Sequence, residues 1–139
     1  RNVDPTKDYT VNFDKIGEYA VRYVVSDVFN SSANQTPYSV SYTILDDEPP
    51  VFRFSGEFKT RISAGETYVL PKFTVSDNYS SDSEIYVAKY VEDPTGKMNE
   101  IPANSNSFKA TKAGTYKIIL MAVDGSGNVD YYTVAVVAA

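Results

Sequence analysis

The sequence predicts an all-β sandwich, present as two tandem copies of which the first is incomplete. Three observations predict it. Apolar and polar residues alternate with period two in many short runs. Turn-forming pairs separate those runs at the spacing of a multi-stranded β domain. A block near the N-terminus also returns near the C-terminus, and helical periodicity is hard to find anywhere.

The first run is "EYAVRYVVSD", which places Tyr19, Val21, Tyr23 and Val25 in one phase. The second, "YSVSYTI", sets Tyr38, Val40, Tyr42 and Ile44 on one face and Ser39, Ser41 and Thr43 on the other, the pattern of a strand with one wet side. Then comes "LDDEPPVF", where two prolines fix their own dihedrals and hold the preceding residues extended, giving a short stiff joint. Beyond it, strands are predicted over 51–54, 66–70, 72–76, 85–91, 107–110, 115–123 and 131–137. Between them stand turn formers: Ser55-Gly56, Ala64-Gly65, Asp77-Asn78, Pro94-Thr95-Gly96, Asn104-Ser105-Asn106 and the segment from Gly125 to Asn128.

The repeat sets the domain layout. "FDKIGEYAVRYVVSD" (13–27) aligns with "FKATKAGTYKIILMAVD" (108–124), placing Gly17 on Gly114, Tyr19 on Tyr116, Val21 on Ile118 and Asp27 on Asp124. Upstream "VDPT" matches "EDPT", and downstream "PYSVSYTIL" matches "DYYTVAVV". Residues 1–48 therefore read as the C-terminal half of a sandwich plus linker, and residues 49–139 as a complete one. Half a sandwich leaves its inner face wet, so the expected partners are neighbouring domains of the same parent protein, or a second copy of the chain through self-association of residues 1–45.

Composition narrows the chemistry. The 139 residues contain no cysteine and no histidine, which removes disulfides, thiolate metal sites, the commonest general base and the commonest zinc ligand. A formal net charge of −5 repels nucleic-acid phosphates and anionic lipid heads, so neither nucleic acid nor membrane insertion is expected. The start, "RNVDPTKDYT", lacks the order of a signal peptide and an initiator methionine, and the chain reads as an excerpt of a longer protein. Zero cysteine favours a bacterial exported protein over a secreted eukaryotic module.

The segment "DDEPPVFRFSG…AGETYVLPKFTVSDN…GTYKIILMAVDGSGNVDYYTVAVV" resembles the bacterial immunoglobulin-like repeats found in tandem in surface proteins, lipoproteins and the non-catalytic parts of carbohydrate-active enzymes. The likeness rests on Gly114, Tyr116, Ala122, Asp124, Gly127 and Asn128, and covers 50–139 fully and 3–45 less so. In the first copy Val25 stands at the alanine position, and "DVFNSSANQT" replaces the tight "DGSGN". The resemblance implies an immunoglobulin-like Greek-key sandwich at the cell surface or secreted, acting as a spacer or presentation module rather than as an enzyme. The alternative it implies is an adhesion or binding module. In either case Tyr19 and Tyr116 sit where a tyrosine corner buries the ring and ties its hydroxyl to nearby backbone.

Two segments carry candidate chemistry. "DGSGN" is a competent hairpin turn, with Asp124 accepting backbone amides; it is also a candidate calcium loop offering Asp124, Asn128, Asp130 and carbonyls. "DDEPP" crowds Asp46, Asp47 and Glu48 at a domain joint; it reads either as a solvated acidic linker or, by its similarity to cadherin linkers, as a calcium site drawing further ligands from Asp27, Asp77 and Asp82. Glycan contact is a third reading, carried by 12 tyrosines without any tryptophan. Carboxylate pairs such as Asp82 and Glu84 lie in polar turns, where pKa tuning for catalysis is not expected.

Overall fold

The computed structural model describes residues 10–26 and 35–139. The chain divides into two compact units, Arg1–Asp46 and Asp47–Ala139. Among the described residues there is no α-helix, and no helix is long and apolar enough to cross a membrane.

In the first unit, strands β1 (Gly17–Ser26) and β2 (Gln35–Ile44) form an antiparallel pair, in register from Gly17 opposite Ile44 to Ser26 opposite Gln35. The alternation anticipated from sequence places Tyr19 opposite Tyr42, Val21 opposite Val40 and Tyr23 opposite Tyr38 on one face. Phe13 covers one end of that face, with its ring centroid 4.5 Å from Tyr19 and 5.8 Å from Tyr42. The other end is open, and Tyr23 and Tyr38 are 51% and 66% exposed.

The second unit contains β3 (Val51–Phe54), β4 (Arg61–Ile62), β5 (Thr67–Val69), β6 (Phe73–Ser76), a 3₁₀ turn (Asp82–Glu84), β7 (Tyr86–Glu92), β8 (Met98–Ile101), β9 (Ser107–Lys109), β10 (Gly114–Val123) and β11 (Val129–Ala138). A five-stranded sheet runs in the order β4-β11-β10-β7-β8, while β3 pairs with β6 and β5 with β9. Every pairing is antiparallel except β4 with β11, which is parallel.

The long β10 turns Tyr116, Ile118, Leu120 and Ala122 inward, and all four are buried. Tyr116, Ile118 and Leu120 join Val91 of β7, Ile101 of β8, Val136 and Ala138 of β11, Ile62 of β4, and Tyr68 with Leu70 from and just after β5 in one apolar cluster. Phe52, Phe54, Phe73 and Phe108, from the two smaller sheets, pack against that cluster. Residues of the large sheet thus face residues of the small ones across a shared core, consistent with a β-sandwich.

Two strands of this unit escaped the sequence reading. β8 is an edge strand whose only buried residue is Ile101, so "MNEI" carries little alternation. β4 has two residues, too few for any period to appear.

Candidate functional site

Asp124 follows β10, where the chain must turn into β11. The carboxylate builds that turn: Oδ1 accepts the Ser126 and Asn128 amides at 2.8 Å each, and Oδ2 accepts the Asn128 side-chain amide at 2.8 Å. Backbone bonds from the Asp124 amide to the Asn128 carbonyl and from the Gly127 amide to the Asp124 carbonyl close it. Gly127 takes φ +90°, which a side chain would strain. Burial pushes the Asp124 carboxyl up, but the bonds from Asn128, Ser126 and Gly127 outweigh it and hold the group below its ordinary 3.8. The "DGSGN" segment is therefore a self-satisfied turn in which Asn128 serves Asp124.

Asp77 follows β6 and organises the neighbouring loop, its Oδ2 accepting the Tyr79 and Ser80 amides at 2.9 and 2.7 Å. The buried Ser80 then joins the two loops, its Oγ accepting the Gly125 amide at 3.1 Å. The clamp brings one carboxylate oxygen of Asp77 within 4.8 Å of one of Asp124. The Asp77 Oδ1 is buried and accepts no hydrogen bond within the protein. Two like charges this close repel by about 1 kcal/mol in water and about four times that in partly buried surroundings.

Asp46, half-buried, closes the first unit; Asp47 and Glu48 open the second and are exposed. Asp82 is exposed on the 3₁₀ turn, and the Asp130 carboxylate accepts the Tyr131 amide at 3.0 Å. Asp27 lies outside the described residues. Asp77 entered the sequence reading only as a contributor to the joint; its pairing with Asp124 depends on two loops 47 residues apart meeting through Ser80, and no local pattern encodes that.

The tyrosines anticipated as corners make the same bond, but only Tyr116 has its ring buried; Tyr19 is half-buried. Tyr19 donates to the Lys15 carbonyl at 3.0 Å, and Tyr116 donates to the Lys112 carbonyl at 3.0 Å, each four residues upstream. Tyr116 also accepts the Lys112 amide at 3.0 Å.

Lys89 is the other unusual polar group, buried on the inner face of β7 opposite Leu120. Its ammonium donates to the Ser105 carbonyl and, at 2.8 Å, to Asn106 Oδ1, and burial pushes its pKa down. It lines an open cavity of about 310 Å³ with Phe73, Val75, Asp82, Ile85, Val87 and Ala103. No family model matches the chain, and no curated protein matches it in sequence.

Proposed function

We propose that the chain is a non-catalytic spacer or presentation module of a bacterial cell-surface or secreted protein, its two units being copies of one immunoglobulin-like Greek-key sandwich. The sheet order β4-β11-β10-β7-β8, with β3-β6 and β5-β9 opposite, supports the immunoglobulin-like assignment. The shared tyrosine-to-carbonyl bond at the same offset supports the tandem one.

The observation that carries the mechanical reading is the parallel pairing of β4 with β11. β4 lies near the entry of the unit and β11 at its exit. Tension pulls β4 toward its N-terminus and β11 toward its C-terminus. For parallel neighbours these pulls are opposite along the strand axis, so the bonds between them are sheared together rather than unzipped singly. Those bonds are Val137 N–H to the Thr60 carbonyl at 2.8 Å, Ala139 N–H to the Ile62 carbonyl at 3.1 Å and Ala64 N–H to the Ala139 carbonyl at 3.1 Å. Single-molecule pulling from the two ends of the chain tests this. The second unit should unfold in one cooperative step, at a force that drops in Val137→Pro, which lacks the amide. An unchanged force in that variant rejects the shear mechanism.

A second reading, the calcium-stiffened binding module, is favoured by the approach of the Asp77 and Asp124 carboxylates and by the buried Asp77 Oδ1, which accepts no hydrogen bond within the protein. Calcium holds its oxygen ligands at about 2.3–2.6 Å, so two oxygens on one ion stand at most about 5 Å apart, a limit this pair meets. Millimolar calcium should raise the melting temperature, by about 2.7 kcal/mol in stability at one hundred times the dissociation constant. Asp77→Asn should abolish the rise, and a melting curve indifferent to calcium rejects this reading.

A further inference from the structure

The outer face of the five-stranded sheet carries a band of apolar and aromatic side chains that the core does not use. The register aligns Val129, Val123 and Tyr86 in one row across β11, β10 and β7, and Tyr131, Met121 and Ala88 in the next. Tyr86 is 58% exposed, Tyr131 60% and Val129 41%. Ala88 points to this same face, yet is only 4% exposed. The two tyrosines stand on strands either side of β10 and two residues out of row, about 12 Å apart at the backbone from ordinary strand spacing. They flank a strip of the outer face that runs past Met121, with Ala88 covered.

Size and charge select the occupant. The two tyrosines at these exposures offer roughly 100–150 Å² each, so the rows together leave on the order of 300 Å² uncovered. A stable protein partner needs about 800 Å² per side, well beyond this. Neither row carries a charged side chain, so an ionic ligand finds no counter-charge there. What fits is a flat, uncharged molecule with an apolar face and a hydroxyl rim, because a tyrosine offers a ring face to stack on and a hydroxyl to hydrogen-bond. One row further along this face, outside those two rows, Glu100 of β8 stands opposite Tyr90 and can accept such hydroxyls. We propose that this face binds a neutral polysaccharide, with Tyr86 and Tyr131 as the stacking platforms.

The proposal is separable from the spacer reading, which stands or falls on the pulling experiment. Its test is native electrophoresis of the 139-residue chain through gels containing xylan, mixed-linkage β-glucan, galactomannan or dextran. At least one should retard the protein. Tyr86→Ala and Tyr131→Ala should each weaken that binding about three- to tenfold. Tyr86→Phe should retain most of it, and Tyr38→Ala, on the first unit, should leave it unchanged. Both key tyrosines are exposed, so unchanged melting temperatures verify that the variants fold. Absence of retardation by all four polysaccharides overturns the proposal, as does retardation indifferent to both alanine variants. Sedimentation showing a dimer that Tyr131→Ala dissociates also overturns it, assigning the face to a second copy of the chain.

Discussion

At the scale of single residues, the clearest commitment is the tyrosine that closes the loop before each long strand. The Tyr116 ring is 3% exposed, and its hydroxyl serves both the carbonyl and the amide of Lys112. Tyr116→Phe keeps the packing and removes those bonds, so it should cost about 1 kcal/mol in urea denaturation. Gly114, two residues earlier, is fixed twice over: its φ is +134°, and a Cβ there would meet Pro94 Cβ at 2.7 Å. Gly114→Ala should therefore cost more than the tyrosine change, through strain of about 1–3 kcal/mol plus the clash. Carboxylates set the response to acid. Asp124 is held below its ordinary 3.8, as is Asp93, whose carboxylate accepts the Thr95 hydroxyl and whose neighbouring amides reinforce the turn into β8. Glu84 is held below 4.5 by the Ser81 amide and hydroxyl in the 3₁₀ cap. A carboxyl depressed in the folded state binds protons more tightly when unfolded. Its contribution is thus complete above the ordinary value and lost as pH falls from there through the lower folded value. Thermal melts should stay level from neutral pH to about 5 and decline below about 4.5, and Asp124→Asn should flatten part of that decline.

Among elements, position in the sheet separates what the sequence discloses from what it conceals. Strands at the centre announce themselves: β10 has partners on both sides, and its inward residues, Tyr116, Ile118, Leu120 and Ala122, alternate without a break. Strands β1 and β2 each have one partner, yet their apolar residues alternate as regularly and make them legible. β8 is not, because an edge strand is kept polar against unwanted pairing, and β4 is not, because it exists only through its contact with β11. Half of the candidate site is legible in the same sense. Asp124 is named by the turn it builds, whereas its proximity to Asp77 arises from folding in three dimensions. The ladder positions also predict dynamics. Amides of Ile118 and Leu120 should exchange with solvent only on global unfolding, while those of β8 and β4 exchange through smaller openings, as residue-resolved hydrogen exchange can measure.

For the whole chain, the contrast between the two units dominates. In the second, the inner residues of β10 and β11 lie beneath a covering sheet. In the first, the pair β1-β2 leaves Tyr23 and Tyr38 more than half exposed, and Tyr42 is 42% exposed. A two-stranded ribbon of this kind is marginal in water by itself. The 139-residue chain should therefore associate through the first unit, and a truncation beginning at Asp47 should sediment as a monomer. A monomeric full chain whose β1 and β2 amides are well protected would contradict this.

The matched corners, Lys15 with Tyr19 and Lys112 with Tyr116, carry a further consequence for biosynthesis. Neighbouring segments built on one plan are each other's strongest competitors while a nascent polypeptide emerges, since a ribbon from one can insert where its sibling belongs. On the tandem plan proposed above, the dissimilar links "DVFNSSANQT" and "DGSGN" should make the two ribbons poor substitutes for one another and so favour correct assembly.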